Sequence, residues 1–225
     1  SDSVKHLNEL KVPENRLPVQ QYLDPTFAGT LRVSDISFTY PKEDYPIIQN
    51  FSLTLKRGQK AALIGPSGAG KSTILQLILG DLKPNQGTVT LDRLNVLKLQ
   101  RERSKLFSVL NQEPFLFNTT IYENLKMANP DATTDQMMEI LEKVQLADFV
   151  NSLPKGLDTE VAEAGALFSG GQKERLALAR VLLQDTPIVL LDEPTVGLDP
   201  LTEQKLLNLV FEVLKNKTVV WVTHH

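Results

Sequence analysis

The stretch Gly65-Pro66-Ser67-Gly68-Ala69-Gly70-Lys71-Ser72-Thr73 follows the apolar run Ala61-Ala62-Leu63-Ile64 and leads into Ile74-Leu75-Gln76-Leu77-Ile78-Leu79. A glycine-rich loop therefore sits between a buried strand and a helix. Glycine at 65, 68 and 70 lets the backbone curl until several N–H groups converge on one point, and the helix N-terminus adds about half a positive charge there. Such a cradle suits a phosphate chain. Lys71 has the charge to neutralise the β- and γ-phosphates, and Ser72 has the hydroxyl to hold Mg2+.

Working outward, a second chemical group stands at Asp192-Glu193, directly after Ile188-Val189-Leu190-Leu191. The unbroken apolar run predicts a parallel strand buried on both faces, and open α/β sheets bind their ligands beyond the C-terminal ends of such strands. Asp192 is then placed to hold Mg2+, and Glu193 to take a proton from an attacking water.

The remaining pattern supplies the scaffold. Alternation of Leu31 and Val33, then Ile36, Phe38 and Tyr40, and later Phe51, Leu53 and Leu55, predicts half-buried antiparallel strands, with another at 88–91. Met137, Ile140, Leu141 and Val144 fall at helical spacing, 146–153 is a shorter helix candidate and 170–183 a third. Asp199 before Pro200 predicts the N-cap of a helix whose apolar stripe is Leu207, Val210, Phe211 and Leu214; residues 218–223 read as a last buried strand, with Trp221 in the core. Strands alternating with helices give an α/β fold. Residues 1–29 are polar, carry Pro13, Pro18 and Pro25, and read as a linker.

Composition narrows the classes. With 225 residues and 41% apolar content the chain can build a sizeable core. A net charge of −3 and no long Lys/Arg run argue against a general nucleic-acid binder, so no nucleic acid is expected as partner. Absence of cysteine excludes disulfides and thiolate metal sites. No stretch nears the roughly 18 consecutive apolar residues of a membrane span, and nothing resembles a signal peptide, which fits a cytosolic location.

A third string carries a family resemblance. Leu167-Phe168-Ser169-Gly170-Gly171-Gln172, followed by Lys173-Glu174-Arg175-Leu176-Ala177, resembles the signature motif of ABC-type ATPases, although Phe168 replaces the usual leucine. In the same order along the chain, Tyr40 resembles the aromatic on which adenine stacks and Gln112 the loop glutamine that touches Mg2+ and water. Asp199, in Gly197-Leu198-Asp199, resembles the loop after the second carboxylate motif, and His224 the switch histidine. The resemblance implies a P-loop NTPase ABC-ATPase fold: a mixed sheet core, an antiparallel β subdomain and an α-helical signature subdomain over about 115–180, all within an ATP-binding domain at 30–225. It implies ATP and Mg2+ as ligands. Catalysis falls to Glu193, His224, Gln112 and Lys71. Nucleotide contacts fall to Tyr40 and to Gly65, Pro66, Ser67, Gly68, Ala69, Gly70, Lys71, Ser72 and Thr73. The metal falls to Ser72, Gln112 and Asp192. In this family the signature faces the partner's nucleotide, so Ser169, Gly170, Gly171 and Gln172 would serve a second ABC ATPase domain, and Asp199 joins the nucleotide-binding residues.

Further segments resemble the exporter branch. Residues 112–125 resemble the segment that touches the coupling helices of the membrane domain, and 159–165 is similar to the short acidic loop that precedes the signature in exporters. Residues 4–10 resemble the last turns that join an exporter's membrane helices to its ATPase. These likenesses imply a transmembrane domain of the same transporter as partner, residues 1–29 as the linker from it, and a place at the cytoplasmic face of a bacterial inner membrane. Residues 192–203 and 222–225 look most like the CydC-like half of the bacterial exporters needed for cytochrome bd assembly. That likeness implies a heterodimer and a cysteine or glutathione cargo. Family members continue well past this point, so the chain is expected to stop short after the switch histidine. The alternatives are an ATPase for a lipid, drug or peptide exporter, or a soluble non-transport ABC ATPase. DNA-organising relatives place a long coiled coil between phosphate loop and signature, which the short separation of Lys71 and Ser169 does not allow. A binding-only module is opposed by Glu193 and His224 being intact.

Overall fold

The computed structural model describes residues 2–5, 27–65, 70–111, 115–165, 168, 171–193 and 197–223. The chain divides into two compact units, Ser1–Phe107 with Pro187–Asp192 and Lys217–His225, and Ser108–Thr186 with Glu193–Asn216. The first unit carries β1 (Asp2–Lys5), β2 (Leu31–Phe38), β3 (Ile48–Leu55), β4 (Lys60–Ile64), α1 (Lys71–Leu79), β5 (Gln86–Leu91), β6 (Leu94–Asn95) and α2 (Arg103–Leu106). β7 (Phe107–Leu110) takes the chain into the second unit, which holds α3 (Ile121–Ala128), α4 (Thr134–Lys143), α5 (Ala147–Ser152), α6 (Val161–Gly165), α7 (Gln172–Gln184) and α8 (Pro200–Val213). β8 (Ile188–Asp192) and β9 (Thr218–Thr223) belong to the first unit.

In the first unit β1, β4, β9 and β8 lie side by side in that order, all parallel, while β3, β2, β5 and β6 form a separate antiparallel sheet. The apolar pattern of β2 changes parity between Val33 and Ile36, and the pairing shows why. Val33 faces Leu53 and Ile36 faces Phe51, so β2 has one residue more than β3 there; Asp35 takes it up with φ 54°. The debt is settled two residues on, where Phe38 faces Ile48 and Asn50 takes the left-handed turn with φ 47°. Asp and Asn tolerate that conformation better than other side chains. Their displaced N–H groups find hydroxyls on the opposite strand, Asp35 N donating to Ser52 Oγ (2.9 Å) and Asn50 N to Ser37 Oγ (3.1 Å). Paired bulges thus keep Leu31, Val33, Ile36, Phe38, Phe51, Leu53 and Leu55 all buried.

The parallel sheet has α1 against β8 and β9. Ile188, Val189, Leu190 and Leu191 are all buried, as an all-apolar central strand requires. The linker expected over 1–29 is modified at its start. Asp2–Lys5 is a strand paired in parallel with β4, not helical turns, because the outer side of β4 offers a row of unpaired backbone groups. The rest of that stretch to residue 26 lies outside the described residues.

The second unit is helical. Met137, Leu141 and Val144 are buried and Ile140 half-buried, as the spacing predicts. On α8 the buried face is Leu206, Leu209, Val210 and Leu214, with Leu207 and Phe211 only half-buried, so the stripe sits about one position earlier than expected. Trp221 on β9 is likewise half-buried, not core. The acidic stretch 159–165, expected as a loop, contains α6 instead. It is tied down by Val161 N donating to Thr119 O (2.8 Å) and Ile121 N donating to Thr159 O (2.9 Å).

Candidate nucleotide site

β4 delivers the chain to Gly65, whose N–H donates to Thr223 O of β9 (3.3 Å). The helix begins again at Gly70, the N-cap of α1, with φ 87° and ψ 10° and no side chain to cap the first turn. A Cβ at Gly70 would lie 3.1 Å from both Ile47 O and Ile48 Cγ1 as well as on a strained backbone, so glycine is required twice over. Lys71 follows, only 7% exposed, and its Nζ donates to Gly65 O. The lysine thus folds back to the carbonyl just past the end of β4. Ser72 Oγ lies 3.5 and 3.4 Å from the two carboxylate oxygens of Asp192 at the end of β8. That spacing is wider than a good hydrogen bond and sets a hydroxyl and a carboxylate side by side, the donor set a hard divalent cation takes. The N-terminal N–H groups of α1, the lysine and this oxygen pair fit a magnesium-bound polyphosphate in kind and in charge.

Tyr40, just past β2, meets Phe38 edge to face with ring centroids 4.8 Å apart. Its hydroxyl lies 2.7 Å from Thr73 Oγ1. The structure therefore gathers Gly65, Gly70, Lys71, Ser72, Thr73, Tyr40 and Asp192 within the first unit. Pro66, Ser67, Gly68, Ala69, Gln112, Ser169, Gly170 and His224 lie outside the described residues.

In the second unit Glu193 has φ 43°, a left-handed backbone that costs a side-chain-bearing residue about 1–2 kcal/mol. Gly171 is the N-cap of α7 with φ 86° and ψ 11°, again without a side-chain cap, and Gln172 opens the helix one or two residues later than the sequence suggests. A cavity of about 560 Å³ borders this helix start, lined among others by Phe115, Phe168, Gly171, Gln172 and Leu198. Phe168 rests against Phe149 of α5, ring centroids 5.5 Å apart, which is where the larger side chain in place of leucine goes. Asp199 caps α8 as expected: its carboxylate accepts from Thr202 N (3.1 Å) and Thr202 Oγ1 (2.6 Å), with Pro200 opening the helix. Those bonds, the hydroxyl's first, hold the carboxyl below its ordinary value of 3.8.

The sequence offers no sign of how the 115–125 segment is held. Asn124, fully buried, accepts from Phe117 N (2.8 Å) and donates to Phe117 O (3.0 Å) and Thr120 O (2.9 Å). Arg180 of α7 donates to Asn124 O (3.0 Å) and Phe115 O (3.3 Å), with its guanidinium 5.1 Å from the Phe117 ring centroid. Burial lowers the Arg180 pKa from its usual high value. Phe115 itself remains 67% exposed.

A family model described as ABC transporter matches residues 48–196, more than half of the chain. Among curated relatives, the Glutathione/L-cysteine transport system ATP-binding/permease protein CydD of Bacillus subtilis (strain 168) is 50% identical over 196 residues, covering 87% of this chain and 34% of that protein. The mitochondrial iron-sulfur clusters transporter ATM1 of Kluyveromyces lactis is 42% identical over 197 residues, covering 86% and 27%. A solved structure of a bacterial Atm1-family ABC exporter with ATP bound superimposes with a TM-score of 0.77 at 32% identity, covering 96% of this chain and 37% of the other. The chain thus spans about a third of the length of these relatives. It belongs to the ABC transporter family and corresponds to the ATPase domain of that family. The thiol-transport relative bears the name CydD, the motif likeness having pointed to a CydC-like half. Among the described residues no helix is long and apolar enough to cross a membrane.

Proposed function

We propose that the chain binds ATP with Mg2+ and hydrolyses it to drive an exporter, closing against a second ATPase domain in each cycle. The observation that carries this reading is the convergence of the buried Lys71 with the exposed Ser72 hydroxyl and the half-buried Asp192 carboxylate at the start of α1 and the end of β8. Tyr40 offers its ring to adenine, and Lys71 neutralises the β- and γ-phosphates. Ser72 and Asp192, with Gln112, would hold Mg2+, which offsets phosphate charge when bound. The partner domain's copy of the Ser169-Gly170-Gly171 backbone covers the γ-phosphate, with Gln172 and Asp199 beside it. Water attacks phosphorus, the bond to the β–γ bridging oxygen breaks, ADP leaves, and the water's proton goes to Glu193. His224 and Lys71 face the charge that develops on the transferring group.

For the cargo, the 50% identity to a protein named for glutathione and L-cysteine transport supports a thiol exporter built as a heterodimer. The likeness to an iron-sulfur clusters transporter is the observation that favours a different cargo on the same motor. A cytoplasmic-side position at a bacterial inner membrane follows from the same reading.

Glu193→Gln should slow phosphate release by about 10²–10⁴-fold while nucleotide affinity stays near wild type. Phosphate release measured in the full transporter checks this, and unchanged turnover would remove Glu193 as the base. Thiol-dependent stimulation of that same ATPase, with none by an unrelated peptide or lipid, separates the cargo readings.

A further inference from the structure

The Tyr40 hydroxyl has a partner that stacking on a base does not need. Its oxygen lies 2.7 Å from Thr73 Oγ1, while its ring is already held edge-on by Phe38. Thr73 lies in the first turn of α1 and is 5% exposed, two residues after the lysine that donates to Gly65 O. Either oxygen could donate on geometry alone. Hydrogen accounting decides between them once a phosphate is present. Phosphate oxygens only accept, so a hydroxyl that meets one must spend its proton on it, and threonine has one proton and two lone pairs. Were Thr73 to donate to Tyr40, nothing would be left for the phosphate. A phenol is also the more acidic of the two hydroxyls and the better donor.

We infer that Tyr40 donates to Thr73 Oγ1 and so turns the Thr73 hydroxyl into a fixed donor for the phosphate chain. Tyr40 is then a positioning residue for the phosphates as well as a face for the base, and the two hydrogen bonds in series strengthen each other. The inference rests on the nucleotide reading above and adds a role for a hydroxyl that a phenylalanine in its place would lack.

The probe is magnesium tripolyphosphate, which has the phosphates and no base, competing with a fluorescent ATP analogue on the full chain. Tyr40→Phe keeps the ring and its Phe38 contact. It should weaken tripolyphosphate and ATP alike by about three- to tenfold, the worth of one hydrogen bond. It should raise KM for ATP with kcat unchanged and, because the bond is already made without ligand, lower the ligand-free melting temperature by about 2–4 °C. Thr73→Val should weaken tripolyphosphate as well, and adding Tyr40→Phe to it should change nothing further. Equal or tighter tripolyphosphate binding by Tyr40→Phe overturns the inference, as does additive loss in the double variant or a wild type with which tripolyphosphate does not compete. A wild type that fails to bind Mg-ATP at all would instead sink the nucleotide reading itself.

Discussion

The five helices of eight or more residues among the described residues begin in two different ways. α4 opens on Thr133, whose hydroxyl accepts from Gln136 N (3.1 Å) while the Gln136 side chain accepts from Thr133 N (2.9 Å). α3 is capped by Thr120 and α8 by Asp199 in the same spirit. α1 and α7 open on Gly70 and Gly171, with left-handed φ of 87° and 86° and no side-chain cap at either. A capped helix satisfies its own first N–H groups; a glycine start leaves them to something else. Both glycine starts fall in the phosphate-loop and signature motifs, one in each unit. The difference separates helices whose first turn is closed by their own side chains from the two whose first turn is left open, where an anion is proposed to sit.

Closing an open start should have the largest effect. Gly70→Asp supplies a carboxylate cap where phosphate is proposed to sit, and adds strain and close contacts. Mg-ATP affinity in an equilibrium titration should fall by 100-fold or more, and retention of wild-type affinity would mean that the open start of α1 is not an anion site. Opening a closed start should cost only stability. Thr133→Ala should lower the unfolding free energy by about 1 kcal/mol, or about 2–4 °C in melting temperature, with Mg-ATP affinity untouched. A loss of affinity there would blur the division. The smallest effect is a dependence on acid. Because its folded pKa is depressed, Asp199 stabilises α8 above 3.8, and that contribution disappears as pH falls through the lower folded value. The melting-temperature gap between wild type and Asp199→Ala should therefore be constant near neutrality and shrink below pH 3.8.

Much of the scaffold was legible because periodicity reports burial directly. β8 is an apolar run with both faces covered, and α4 shows its stripe at the expected spacing. Even the change of parity in β2 stood in the sequence, although only the pairing with β3 explains it as two compensating bulges. α3 escaped detection because its inward positions include Asn124, a buried polar residue that serves backbone groups instead of an apolar core. α6 and β1 are too short to show a period. Of the candidate site, residues 70–73 and Asp192 stand out in the sequence because glycines, a lysine and a carboxylate follow buried strands, and the structure brings them together. The Tyr40–Thr73 bond could not, since it joins residues 33 positions apart through the fold. The same holds for Arg180, which reaches the 115–124 segment from α7.

Glu193 sits on a backbone that suits glycine or asparagine better than glutamate. On the proposed mechanism, the use of that carboxylate as a base offsets a standing penalty in the ground state. Attempts to harden this protein by relieving the torsion at 193 would then erase the proposed base.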